Sequence, residues 1–288
     1  MWEIPEVRER VKASKLYMIA QREEVFFRDV QVDEKSLQLS FSLSNSSVRM
    51  EGLSVDLAAV AGTEKFFLEG GPKFFRLWEE EQGQKGQVID WFTVEKLLFD
   101  HWHGRVEVKG LKRYGPFTTF QLLYVGISKE DDSFSRLFQN GHQKRAKILS
   151  NETQLRPDAR VTDELFIFLF DVAQTHIKTI SWEEDVTPLL EEAAVEKVRL
   201  VADAEKAFVR LLDTQYNTIK YKAYPKGSDG LYGSGLNSYA YLIDEDLTFA
   251  TPSALFRGAH VNDMSGPKDR DLVLVSGDQV TLMAFDDS

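Results

Sequence analysis

The chain has no cysteine. That excludes disulfides, thiolate metal sites and cysteine nucleophiles, and it makes an intracellular home the expectation. Long apolar runs are missing too. The densest, residues 165–170, is far too short to cross a bilayer. Residues 1–12 carry charges where a secretion signal needs an apolar core, so a soluble, cytoplasmic protein is expected, without a membrane partner. An overall positive charge is also lacking: the formal net charge is −11. Taken alone this speaks against nucleic acid. The distribution speaks differently, because residues 101–160 are net basic and both flanks are net acidic. A locally positive surface can steer a polyanion while the acidic remainder limits unselective binding. A solvated charged face is the alternative reading of the same block.

What is present fits a folded α/β protein. Its 288 residues, 43% hydrophobic and 12% aromatic, suffice for a sizeable core and two or three domains. Residues 5–25 have a loose helical period, and residues 29–60 alternate as strands around a turn at 44–47. Residues 91–102 read as an apolar helix. Residues 1–104 thus form an expected N-terminal α/β accessory region. His101 and His103 lack a third ligand at any recognised spacing, so a structural role is expected for them.

Residues 117–149 organise the chain. Residues 120–127 read as a buried strand, 134–140 as a short helix stopped by Gly141, and 142–149 as a basic helix. Residues 165–170 suit a central strand covered on both faces. Pro188 suits the first turn of a long helix. Its apolar stripe is Leu190, Ala194, Val198, Val201, Phe208 and Leu212, and Glu205 falls in the gap of that stripe. A carboxylate on a buried face needs a metal, an arginine or several donors. At the stripe's edge it would instead reach water. Residues 221–227 are basic and aromatic, as a phosphate-backbone contact or a surface loop would be. Residues 227–235 form a glycine-rich loop. From 228 to 288 the chain reads as a β-rich extension ending in a hairpin with its turn at 276–278.

Three features in order, Tyr124-Val125-Gly126, Arg136 and the pair Glu205 and Asn217, resemble the GIY-YIG nuclease superfamily over roughly residues 110–224. The first tripeptide, Gly-Ile-Tyr, is absent. Tyr114, ten residues before Tyr124, is the expected first tyrosine, and Phe120 is a competing placement. The resemblance implies a mixed-sheet nuclease domain at 105–227 between the accessory region and the extension. It implies a DNA endonuclease that needs Mg²⁺ or Mn²⁺, with Glu205 as metal ligand and Arg136 stabilising the phosphate. Tyr124 or Tyr114 would orient or activate water, and His142 is a candidate proton shuttle. Arg113, Lys144, Arg145, Lys147, Lys222 and Asn217 are the expected DNA contacts, and the flanking regions are left for protein partners. A catalytically inactive binding module of the same fold is the alternative.

Overall fold

The computed structural model describes residues 5–79, 86–111, 115–128, 132–139, 141–173, 196–236, 238–260 and 270–284. Arg113, Tyr114 and the expected helix start near Pro188 lie outside them.

The fold is mixed α/β with several small sheets. Helix α1 (Pro5–Ala13) leads into strand β1 (Leu16–Gln21). This corrects the single helix expected over 5–25. Ser14 makes the break, donating its hydroxyl to the carbonyls of Leu16 at 3.1 Å and Phe170 at 2.8 Å. β1 is buried along its whole length, so its sequence has no period-two alternation to reveal it.

The chain then leaves on a long excursion. Strands β2 (Phe26–Asp33), β3 (Gln38–Ser44) and β4 (Arg49–Asp56) are followed by helix α2 (Leu57–Ala61). Strands β5 (Phe67–Gly70), β6 (Phe74–Trp78) and β7 (Val88–Thr93) precede helix α3 (Val94–Trp102) and strand β8 (Val108–Lys109). The helix expected over 91–102 therefore begins as a strand, and Thr93 caps α3 by accepting from the Lys96 amide. These elements build two sheets, β2-β3-β4-β8 and β5-β6-β7, around a core of their own.

Helix α4 (Gly115–Thr118) returns the chain to strand β9 (Thr119–Ile127), which pairs antiparallel with β1. A wide π-type turn (Ser135–Gln139), helix α5 (Gln143–Asn151), helix α6 (Val161–Glu164) and strand β10 (Leu165–Phe170) follow. Next come helix α7 (Lys197–Leu212) and strands β11 (Ser238–Tyr241), β12 (Thr248–Ala250), β13 (Leu255–Arg257), β14 (Leu272–Ser276) and β15 (Gln279–Met283). Gly277 takes a φ of 55° at the expected hairpin turn between β14 and β15.

The principal sheet runs β10-β1-β9-β12-β13. β10 meets apolar side chains on both faces, but among the described residues it pairs with β1 alone, which makes it an edge strand there and not the centre. Sheet membership also cuts across the expected boundaries at 104/105 and 227/228: β1 and the β12–β13 pair share the sheet with β9. The accessory lobe is inserted between two neighbouring strands. Arg22 holds its base. This guanidinium is 4% exposed, donates to the Phe117 carbonyl and to Glu95 at 2.5 Å, and lies over the adjoining rings of Phe120 and Phe166.

α7 packs against β9 on one side and against β14 and β15 on the other, which is why most of its residues are buried. One of them, Asp203, is 0% exposed and accepts from Tyr224 Oη at 2.7 Å, Tyr241 Oη at 2.8 Å and the Leu231 amide at 2.8 Å. The glycine-rich loop is thereby pinned, since a Cβ at Gly230 would lie 2.3 Å from Asp203 Oδ1. Replacing Asp203 with Ala leaves three buried donors without their acceptor. We expect a loss of about 3 kcal/mol or more in urea-unfolding stability, read from the midpoint at constant m value.

Candidate functional site

β1 and β9 pair so that Tyr17 stands opposite Gly126 and Ile19 opposite Tyr124. Tyr17 and Tyr124 therefore share one face of the sheet, their ring centroids 6.1 Å apart. Gly126 is required by this pair: a Cβ there would meet the Tyr124 ring at 2.6 Å and the Tyr17 hydroxyl at 2.7 Å. Tyr17, which sequence reasoning placed inside a helix, is thus the tyrosine that faces Tyr124. Neither expected candidate takes that place. Tyr114 lies outside the described residues, and Phe120 sits in the core, edge-on to Phe166 and Phe168. The missed signal was the tripeptide Leu16-Tyr17-Met18 in an unbroken apolar run, well away from Tyr124 in the chain.

Arg136 and His142 converge on the same phenol. Asp132 starts the π-type turn by accepting from the Ser135 amide at 2.8 Å and the Ser135 hydroxyl at 3.0 Å. Those bonds hold its carboxyl below the usual range. The turn carries Arg136, whose Nε donates to Tyr17 Oη at 3.1 Å. Gly141, at φ 65°, ends the turn as expected. His142 then caps α5: its Nδ1 accepts from the Arg145 amide at 2.9 Å. A neutral imidazole accepting at Nδ1 carries its proton on Nε2. Nε2 lies 2.7 Å from Tyr17 Oη, so the imidazole donates to the phenol. Burial, then Arg136, Arg145 and Lys144, push the His142 pKa down to about 4. It is neutral at pH 7 and stands in the site as a donor to Tyr17.

With two N–H donors on its oxygen, Tyr17 passes its own proton onward. The hydrogen bond between the two hydroxyls raises Tyr17 and lowers Tyr124, as it must when Tyr17 donates. Burial pushes both phenols up overall, and the charge of Glu205 adds to the rise at Tyr124. Tyr17 is 0% exposed beneath Arg136 and His142, whereas Tyr124 is 8% exposed and Arg136 is on the surface. Tyr124 is the phenol that can meet a ligand, and Tyr17 backs it.

Glu205 completes the group from α7. It is half-buried, as its place in the apolar stripe implies, and its charge is felt by Tyr124, Arg136 and Tyr221. Tyr221 Oη donates to Glu205 Oε2 at 3.4 Å. Asn217 plays a different part from the expected DNA contact. It is 7% exposed, its Oδ1 accepts from the Val125 amide at 2.9 Å and the Thr214 hydroxyl at 2.6 Å, and its Nδ2 donates to the Val125 carbonyl at 2.8 Å. It clamps the end of α7 to the residue after Tyr124. Lys144 and Arg145 are half-buried and Lys147 exposed on α5, beside His142; Lys222 is exposed on the 221–224 turn. Arg145 also donates to the Leu137 carbonyl at 3.3 Å and lies over the Phe138 ring. The expected structural histidines are engaged elsewhere: His101 Nδ1 accepts from the Val108 amide, and His103 stacks on His260 at 4.1 Å.

The oxygen groups here are one carboxylate, Glu205, with the Tyr221 phenol beside it. Among the described residues no three His, Asp or Glu side chains form a closed metal cage. No described helix is long and apolar enough to cross a membrane. Comparison with family models, with curated proteins and with solved structures finds no match.

The His142 arrangement has a measurable consequence. Its folded pKa of about 4 lies below the ordinary histidine value of 6.5. Between those values the unfolded chain binds a proton that the folded chain refuses, so stability falls as pH drops from 6.5 toward 4. Thermal melts across this range should show that loss in the wild type and a flatter acid limb in His142→Gln.

Proposed function

We propose that the protein is a divalent-metal-dependent DNA endonuclease of the kind its sequence resembles, hydrolysing phosphodiester bonds at the Tyr124–Arg136–Glu205 site. The observation that carries this reading is the meeting of two phenols, a guanidinium and a half-buried carboxylate from four separate elements. Each is a residue type that the chemistry needs. A Mg²⁺ or Mn²⁺ ion held by Glu205 supplies Lewis-acid stabilisation of the leaving oxygen.

The chain's own residues do the rest. Arg136 lies on the surface side of Tyr17 and is placed to take a non-bridging phosphate oxygen as charge builds on it. Tyr124 orients the attacking water. Its oxygen accepts from Tyr17, which in turn accepts from Arg136 and His142, and a chain of such donors favours developing negative charge on the last oxygen. A free phenol titrates near 10, and burial and the charge of Glu205 hold Tyr124 above that, so a base role would need the bound cation to lower it. Lys144, Arg145 and Lys147 extend the positive surface along α5 for the DNA backbone, and their contribution weakens with salt. A cytoplasmic location and DNA as partner belong to the same reading. The inactive-module alternative rests on the absent Gly-Ile-Tyr tripeptide, and Tyr17, in Leu16-Tyr17-Met18, offers a phenol but not that motif.

Purified protein is expected to nick plasmid DNA with Mg²⁺ or Mn²⁺. Glu205→Gln should abolish cleavage, and Tyr124→Phe and Tyr17→Phe should each lower the rate by about 10²-fold or more, with far-UV spectra unchanged. Cleavage by Glu205→Gln at the wild-type rate refutes the site.

A further inference from the structure

Resting on the nuclease reading above, we infer that Tyr221 is a positioning residue for Glu205: its phenol sets the rotation of the carboxylate and thereby the site's affinity for a divalent cation. The first observation is the contact itself, Tyr221 Oη to Glu205 Oε2 at 3.4 Å. The second is the cost at which it is held. Tyr221 has a φ of 45°, a left-handed conformation that a bulky side chain adopts only where its surroundings dictate it.

The surroundings do dictate it. The Tyr221 carbonyl accepts from the Tyr224 amide at 2.9 Å, closing a tight turn, and Tyr224 Oη is anchored on buried Asp203. Lys206 pairs with Asp229 and sets its ammonium 6.0 Å from the centre of the Tyr221 ring. Arg199 donates to the Gly230 carbonyl at 2.7 Å through Nη2. Four side chains of α7, at 199, 203, 205 and 206, therefore grip one stretch of chain, residues 221–231. Three of these contacts are structural, and the fourth ends on the proposed metal ligand.

Partners that orient a ligating carboxylate change metal affinity when removed, typically by tenfold or more.

The test is a Mn²⁺ titration of the full chain, followed by water-proton relaxation, for the wild type, Glu205→Gln and Tyr221→Phe, with thermal melts of each. The expected result is one Mn²⁺ site in the wild type, lost in Glu205→Gln and about tenfold weaker in Tyr221→Phe at an unchanged melting temperature. Cleavage by Tyr221→Phe should also recover as Mg²⁺ is raised. An unchanged Mn²⁺ affinity in Tyr221→Phe overturns the role of Tyr221 and leaves the nuclease reading standing. A wild type with no site sensitive to Glu205→Gln overturns the nuclease reading, and this inference with it.

Discussion

The antiparallel pairing of β1 with β9 is the constraint on which the rest depends. It sets Tyr17 against Gly126, and only a residue without a side chain fits beneath the two phenols. A slip of β1 by one residue in this register would turn Tyr17 to the opposite face, away from Tyr124 and toward the core that holds α7. Buried apolar side chains on both faces of β1 oppose such a slip, so the register is strongly specified. The π-type turn and α5 then have one place to bring Arg136 and His142, and the Asn217 clamp fixes the end of α7 to the same strand.

The inserted lobe explains how two neighbouring strands come to be so far apart in the chain. Its two sheets bury their own apolar faces, so it asks little of the principal sheet except a firm base. Arg22 provides that base from the residue just after β1, with two adjoining aromatic rings against it and a carbonyl and a carboxylate to satisfy it. Burial lowers the Arg22 pKa, and the charge and hydrogen bond of Glu95 work against that loss. The lobe can sit between the site's two tyrosines in sequence without disturbing them in space.

On the other flank, α7 joins the principal sheet to the β11-β14-β15 sheet. Its polar positions are not scattered. Arg199, Asp203, Glu205 and Lys206 all engage the stretch that follows, and Asp203 binds the two tyrosines that bring β11 and the 221–224 turn onto the helix. The β-rich region is therefore part of what holds the proposed site together, and its strands β12 and β13 complete the principal sheet.

The sequence by itself determined the local features: strand β9, the left-handed stop at Gly141, the C-terminal hairpin, and a carboxylate on the apolar stripe of α7. Each of these rests on period, turn chemistry or a residue type that acts within a few positions. Tyr17 could not be found that way. Its strand is covered on both faces and so lacks alternation, its partner strand lies beyond a whole lobe, and α1 just before it lends the stretch a helical look. The same limit hid the edge position of β10 and the grip of Tyr221 on Glu205. Those depend on which strands become neighbours, and strand pairing joins residues distant in the chain through backbone bonds that carry no side-chain signature. Tertiary structure alone decided that two tyrosines, 119 and 125 residues of separation from Tyr17 to Arg136 and His142 notwithstanding, share one face with a guanidinium and an imidazole.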